Sequence, residues 1–516
     1  MGRWWPAGTL AGMALALGGL IVWLPWPADW CVVSPDSFTY LSAARALVET
    51  GTLPAGRLVY PPGFPAVLAG LMSTGDPPLL AARVVFALCW AATVVLTALL
   101  ARLELGTGWA WVAGLLVVTN GCLARQATVL LSELVYLPLF LGAVVAMTRW
   151  RRASSWGGIA AAGMLGSAAM MVRTIGVVLW PVGIWALLMP ATGERRSLRG
   201  RMLQAGLFSA VFLAPAAAWE ARQRSYPPAY GYGSILSHPR RCEQTDATGV
   251  ALQARRLAAF GPMRLESLKA AMVPQALGWR VFQPPLDRPA TWAVGGMFVC
   301  VAVWRTVRRR SVPDACVLGT LLVLAVWPWD EKERLIVPLV PLLCLSVADM
   351  IRCAWQAAER LRPARMAIRL GVAGMFLVLA AEIVPARARL RRAETRARQR
   401  METMRAMADW QRANVPAFRP ILCLTPAGCE ARLFVAGSAY LSRRPVENYI
   451  DLEVGESPGP HLLGGRTVLL HESLEGRLEK GIAAAIPGRC GSFLVLPPGS
   501  PGADETVVTA GEMGKE

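Results

Sequence analysis

The feature that most restricts this chain is the recurrence of long stretches without a single charge. None occurs from Trp4 to Ala28, and uncharged apolar runs keep returning to about residue 385. Crossing the hydrocarbon layer of a bilayer takes about 20 apolar residues per helix. Only helices and closed barrels satisfy their backbone groups there. The spacing predicts an all-α polytopic membrane protein with about eleven spans, at 7–26, 80–101, 107–124, 129–148, 156–172, 174–190, 203–219, 290–304, 315–329, 335–350 and 370–385. Composition agrees: 54% of the 516 residues are hydrophobic and the mean hydropathy is +0.42, whereas soluble domains run to about 45–50% apolar. The first apolar stretch is too long for the core of a signal peptide and is read as a retained span.

The formal charge is +19, from 53 Lys+Arg against 34 Asp+Glu. On a soluble protein that excess would suggest a nucleic-acid partner. Here the arginines bunch in short loops, and no nucleic acid is expected. With a cytoplasmic N-terminus, "RWRRASS" (149–155), "GERRSLRGR" (193–201), "RTVRRRS" (305–311) and 352–369 all fall inside, as the excess of Lys and Arg on cytoplasmic loops requires. Loops 28–79 and 220–289 and the segment 386–516 then lie outside. The arginine run "ARARLRRAETRARQR" (386–400) counts against this orientation, unless its stripe of Arg389, Arg392, Arg396 and Arg400 meets lipid headgroups or a phosphate-bearing substrate.

Residues 1–385 therefore read as a membrane domain and 386–516 as an extracytoplasmic helix followed by a small α/β domain. In the latter, "RPILCL", "RTVLLHES" and "CGSFLVLP" are strand-like, "LEGRLEKGIAAAI" is helix-like, and the Pro/Gly-rich tail from Pro497 is expected to be disordered. Cys89, Cys122, Cys300 and Cys344 fall in apolar segments. Cys242, Cys423, Cys429 and Cys490 fall outside, where a disulfide can form. His238, His461 and His471 pair with no cysteine, no phosphate-cradling glycine loop is evident, and neither a metal nor a nucleotide cofactor is expected.

Few charges interrupt the spans: Arg83, Glu133 in "LLSELVYLPLF", Arg173 in "MMVRTIGVV", and Arg334 at the edge of "ERLIVPLVPL". Ionisable groups at such depth are costly and usually face a cavity or one another. With Asp36 in "SPDSFTYLSAARALVETG", they map to the outer boundary. Asp36 has two compatible readings. Either Asp36 or Ser34 caps a surface helix whose face carries Phe38, Leu41, Ala44 and Val48, or Asp36 is a general base at the water–lipid edge. Each boundary arginine is either a snorkelling side chain or a phosphate contact. Arg57 precedes "YPPGFP", where three prolines forbid a regular helix and shape a loop returning to the membrane. Tyr226, Tyr230 and Tyr232 could stack on sugar, though "YPPAYGYG" reads equally as a linker.

The order of these pieces, Asp36 in "PDSFTYLSAARAL", then "YPPGFPAVL", "LLSELVYLPLF", "VRTIGVVLWP", "ERLIVPLVPLL" and an outer α/β segment, resembles the GT-C superfamily of membrane glycosyltransferases. The branch it is most similar to holds aminoarabinose transferases and protein O-mannosyltransferases. The resemblance covers most of 1–350 and reaches weakly into 400–450. It implies an inverting glycosyltransferase that takes a sugar from a polyprenyl-phosphate donor and passes it to a hydroxyl of a glycan, lipid or protein acceptor. The setting would be the periplasmic face of a bacterial inner membrane. It further implies catalytic roles for Asp36 and Glu133, and substrate binding by Arg57, Tyr60, Arg173 and Arg334. Some relatives bind a divalent metal; this chain offers no clear ligand set. The competing class is a transporter or flippase of a polar or lipid-linked substrate, which would show midplane charges and inverted repeats; neither is visible.

Overall fold

The computed structural model describes residues 34–54, 60–75, 77–126, 129–153, 155–189, 197–225, 247–272, 287–327 and 332–358, isolated positions from 371 to 409, and five strand segments between 421 and 496. Outside the described residues lie the expected span 7–26, all of 370–385 but Gly371 and Gly374, Arg57, Tyr226, Tyr230, Tyr232, the arginine stripe, the helix-like run after residue 473 and the tail. The chain divides into two compact units, residues 1–31 with 46–390, and residues 32–45 with 391–516.

The first unit is a helical membrane bundle. Its helices are α2 (Gly63–Leu71), α3 (Leu79–Leu105), α4 (Thr107–Val118), α5 (Gly121–Gln126), α6 (Glu133–Ala153), α7 (Trp156–Val172), α8 (Leu179–Leu188), α9 (Leu198–Arg224), α10 (Gly249–Met272), α11 (Asp287–Arg309), α12 (Val312–Ala325) and α13 (Val340–Ala357). Among the described residues, four segments are long and apolar enough to cross a membrane: 79–105, 133–151, 198–224 and 337–357. This is a multi-pass membrane protein.

Local chemistry explains where the expected spans break. The span predicted at 107–124 is two helices, because Asn120 interrupts it and its Oδ1 accepts the Leu123 amide to start α5. Segment 335–350 enters as 3-10 turns (Lys332–Leu335, Val337–Leu339), since Pro338 and Pro341 supply no amide for continuous α-helix. Segment 174–190 likewise opens as a 3-10 turn, Thr174–Val178.

Packing between helices uses small residues, as expected where lipid is as apolar as leucine. A Cβ at Gly166 of α7 would lie 2.7 Å from the Phe212 ring of α9, and one at Gly183 of α8 would lie 2.4 Å from Phe208. The outward faces of α9 and α11 stay apolar: Leu198, Met202, Leu203, Trp304 and Val307 are exposed.

The bundle has two chemically distinct ends. Glu133 opens α6, and Arg151 lies eighteen residues along the same helix. At about 1.5 Å per residue that spans roughly 27 Å, close to the thickness of a hydrocarbon core. Arg151 donates from Nη1 to the Arg310 carbonyl, so two of the basic loops meet at the far end.

Helix α1, Pro35–Thr50, has its first part in the second unit. Ser34 caps it. The Ser37 amide donates to Ser34 Oγ at 3.2 Å, and the Ser34 amide donates to Ser37 Oγ at 2.9 Å. Asp36 is therefore not the cap; it sits in the first turn behind Pro35, where the helix dipole favours a carboxylate. Phe38, Leu41 and Ala44 are buried as the helical face predicted, and Ser37, Tyr40 and Ala43 join them. Val48 is exposed and leaves that face.

The remainder of the second unit contains a five-stranded sheet of β1 (Ile421–Pro426), β2 (Val446–Leu452), β3 (Thr467–His471), β4 (Gly488–Cys490) and β5 (Phe493–Leu496), in the order β2-β1-β3-β5-β4. β1 runs parallel to both β2 and β3, while β5 is antiparallel to β3 and β4. β1, β3 and β5 coincide with the strand-like runs of the sequence. β2, "VENYIDL", was not anticipated, because its polar residues resemble a loop. Of the four outer cysteines, Cys242 and Cys429, and the side chains of Cys423 and Cys490, lie outside the described residues.

Candidate active site at the Glu133 end of the bundle

Three of the singled-out residues meet at one point. Glu133 is 1% exposed, and its Oε1 receives Arg173 Nη1 at 2.6 Å and Arg334 Nε at 2.5 Å. The elements that deliver them are separate. Glu133 begins α6; Arg173 stands in extended backbone (φ −145°, ψ 127°) between α7 and the following 3-10 turn; Arg334 rides on the proline-shaped entry to α13. Arg173 also donates to Ser132 Oγ at 3.2 Å. Because Arg173 is positioned by both residues of the "SE" pair, its guanidinium is aimed rather than loose.

Two guanidiniums on one carboxylate leave the cluster with one surplus positive charge. Each arginine keeps part of its side chain accessible, 15% for Arg173 and 19% for Arg334, whereas the carboxylate is sealed. Glu133 Oε2 and the hydroxyl of Tyr136, one turn along α6, are buried and find no hydrogen-bond partner among the described residues. The charges facing outward are thus cationic. Such a cluster suits an anion and does not fit a divalent cation, since the carboxylate a metal would need is already held by two positive groups. Among the described residues no three His, Cys, Asp or Glu side chains converge.

The proline-rich loop closes on the same rim. Gly63, at the start of α2, lies so near α7 that a Cβ there would be 2.5 Å from the Met171 carbonyl oxygen. Met171 is two residues before Arg173. Tyr60, half-buried and three residues ahead of Gly63, is within about 10 Å of chain from that contact. Arg83, on the first turn of α3, is buried. Asp36 lies in the second unit and Arg57 outside the described residues.

Sequence reasoning missed the groups that fix the surroundings. Asn120 Nδ2 donates to the Ala271 carbonyl at 2.9 Å, tying α10 to α5. Arg264 of α10 is buried and donates to the carbonyls of Leu324 (3.0 Å) and Trp327 (2.9 Å), the last carbonyls around the end of α12. The C-terminal half of the outer helix α10 is therefore pinned to the bundle at two points. At the opposite end, Arg305 bridges Asp314 and Asp349, and Asp349 also draws in Arg309 and Arg352. The available signal was two carboxylates, Asp314 and Asp349, at the edges of uncharged spans.

No protein-family model matches the chain, and no curated protein matches it in sequence. Solved structures do match in fold. ArnT from Cupriavidus metallidurans bound to undecaprenyl phosphate is 13% identical, with a TM-score of 0.54 over 96% of this chain and 98% of that one. The same protein in its apo state is 14% identical, with a TM-score of 0.55 over 94% and 96%. The Archaeoglobus fulgidus oligosaccharyltransferase in complex with Zn and sulfate is 11% identical, with a TM-score of 0.57 over 90% of this chain and 68% of that one. Sequence motif order and backbone likeness thus lead to one conclusion: the chain has the fold of the GT-C membrane glycosyltransferases.

Proposed function

We propose that the protein is a glycosyltransferase that moves a sugar from a polyprenyl-phosphate donor to an acceptor hydroxyl. The carrying observation is the cluster of Arg173 and Arg334 on Glu133, cationic toward its accessible side and sealed on its acidic side. The fold likeness supports the donor class, since one matching structure holds undecaprenyl phosphate and another, an oligosaccharyltransferase from Archaeoglobus fulgidus, a dolichol-phosphate.

The acceptor oxygen attacks the anomeric carbon while the bond from that carbon to the phosphate oxygen breaks. The transition state carries oxocarbenium character on the sugar, and the carrier leaves as a phosphate monoester. That leaving group needs fixed positive charge where negative charge develops, and no strong acid. Arg173 and Arg334 supply it. Asp36 takes the acceptor proton as general base, the role its motif implies, and attack opposite the leaving phosphate inverts the anomeric centre. Glu133 acts through its neighbours: its carboxylate holds both guanidiniums, so it is a positioning residue. Tyr60, on the loop that closes the rim, and Arg57, which precedes that loop in the sequence, complete the donor site. We place this chemistry on the periplasmic face of a bacterial inner membrane, with a cytoplasmic N-terminus. The meeting of basic loops at the far end of the bundle supports that orientation.

The test is transfer from a synthetic polyprenyl-phosphate sugar by purified, reconstituted protein. Asp36→Asn should fold normally and lose at least about 100-fold in rate, the usual contribution of a general base. Unchanged transfer by this variant refutes the base assignment. Movement of intact donor across the bilayer without its cleavage would instead identify a flippase.

A further inference from the structure

At the basic end of the bundle a second cluster of arginines stands beside an exposed apolar face. Helix α11 turns Phe298, Ala302 and Arg305 inward, while Trp292, Met297, Val303, Trp304 and Val307 form an exposed apolar stripe. An ion pair inside and hydrocarbon outside is the arrangement of a lipid-facing helix. The stripe ends in Arg308, Arg309 and Arg310. Arg309 lies over the Trp304 ring at 4.7 Å, donates to Asp349 at 2.6 Å and keeps 32% of its side chain exposed. Arg352, one turn beyond Asp349 on α13, donates to the same carboxylate and keeps 19% exposed. Asp349 therefore holds two partly open guanidiniums in fixed positions beside an exposed tryptophan. With the buried Arg305 counted in, three guanidiniums face two carboxylates, Asp314 and Asp349. Arg308 and Arg310 on the same turn, and Arg151 donating to the Arg310 carbonyl, add three further cations.

We propose that this turn binds the headgroup phosphate of an anionic phospholipid, with an acyl chain lying along the Trp304–Val307 stripe. Charge complementarity selects the headgroup, and the continuous apolar stripe selects a lipid over a free phosphate. Arg309 and Arg352 retain N–H groups that Asp349 does not use, and guanidiniums take phosphate oxygens in pairs. Trp304 sits where an indole prefers to be, at the junction of hydrocarbon and headgroup.

The full chain, purified in mild detergent, is titrated with phosphatidylglycerol or phosphatidylcholine of identical acyl chains, and bound lipid is counted by native mass spectrometry. Phosphatidylglycerol should be retained preferentially. Each basic residue near a surface contributes about five-fold in affinity, so Arg308→Gln with Arg309→Gln should lower that preference about 25-fold. Asp349 keeps Arg305 and Arg352 in this variant, so the fold is maintained. The corresponding double lysine variant keeps the charge but loses the paired N–H geometry, so it should retain part of the preference and lose clearly less than the glutamine variant. An unchanged preference in the glutamine variant overturns the proposal. So does equal retention of the two lipids, or a lysine variant that loses as much as glutamine. Inorganic phosphate displacing phosphatidylglycerol at equal concentration overturns the choice of a lipid.

Discussion

Glu133 with its two arginines makes a prediction whose sign pattern is unusual. At an effective dielectric constant of 20, opposite charges about 4 Å apart attract by about 4 kcal/mol. Arg173 and Arg334 each sit that close to Glu133, with nitrogens 2.6 and 2.5 Å from the same oxygen. Held on one oxygen, the two cations are themselves about 5 Å apart and repel by about 3 kcal/mol. Removing Arg334 loses one attraction and one repulsion, a net cost of about 1 kcal/mol. Glu133→Gln loses both attractions and keeps the repulsion; allowing for the partial exposure of both arginines, it costs about 3–4 kcal/mol. Removing both arginines strands a buried carboxylate and costs about 3–5 kcal/mol. The assay is thermal denaturation in detergent, followed as loss of monodisperse protein, for Glu133→Gln, Arg173→Gln, Arg334→Gln and the double arginine variant. Each single arginine variant should be clearly milder than Glu133→Gln, and the double variant worse than the sum of its parts. If Arg334→Gln is as damaging as Glu133→Gln, or the arginine effects add, the shared-oxygen account is wrong.

Two further tests concern the frame. Gly63→Ala drives a Cβ against the Met171 carbonyl, a backbone atom that cannot step aside; it should cost about 1–3 kcal/mol, whereas Gly70→Ala, where a Cβ meets nothing within 4 Å, should be silent in the same denaturation assay. Asn120→Ala removes the α5 cap and the bond to Ala271, about 2 kcal/mol together. Hydrogen exchange should quicken in α10, and Asn120→Asp, which keeps the cap, should recover about half of the loss.

The legible part of this protein was its charge geography. Glu133, Arg173 and Arg334 stand out because each interrupts or borders an apolar run at the same expected end, and ions in lipid have few places to go but to each other. The illegible part was local backbone shape and pairing inside the spans. Asn120 breaks 107–124 through a side-chain cap that hydropathy cannot register. Asp314 and Asp349 read as span edges, although their neighbours in space, Arg305 and Arg309 of one basic loop and Arg352 of another, are all visible in the sequence. Asp36 was legible as a motif residue but ambiguous as a cap, and only coordinates could give that role to Ser34. Strand β2 hid because Glu447, Asn448 and Asp451 outweigh the apolar residues between them.

The two arginines of the Glu133 cluster come from very different points along the chain. A ribosome feeding the membrane delivers Glu133 and Arg173 first, on successive helices, as an electrically neutral couple that hydrocarbon can tolerate. Arg334 joins that oxygen only after α8 to α12, five more helices among the described residues, have been made. The excess cation that attracts an anionic ligand is therefore the last component to arrive, so a half-synthesised bundle has nothing with which to capture one.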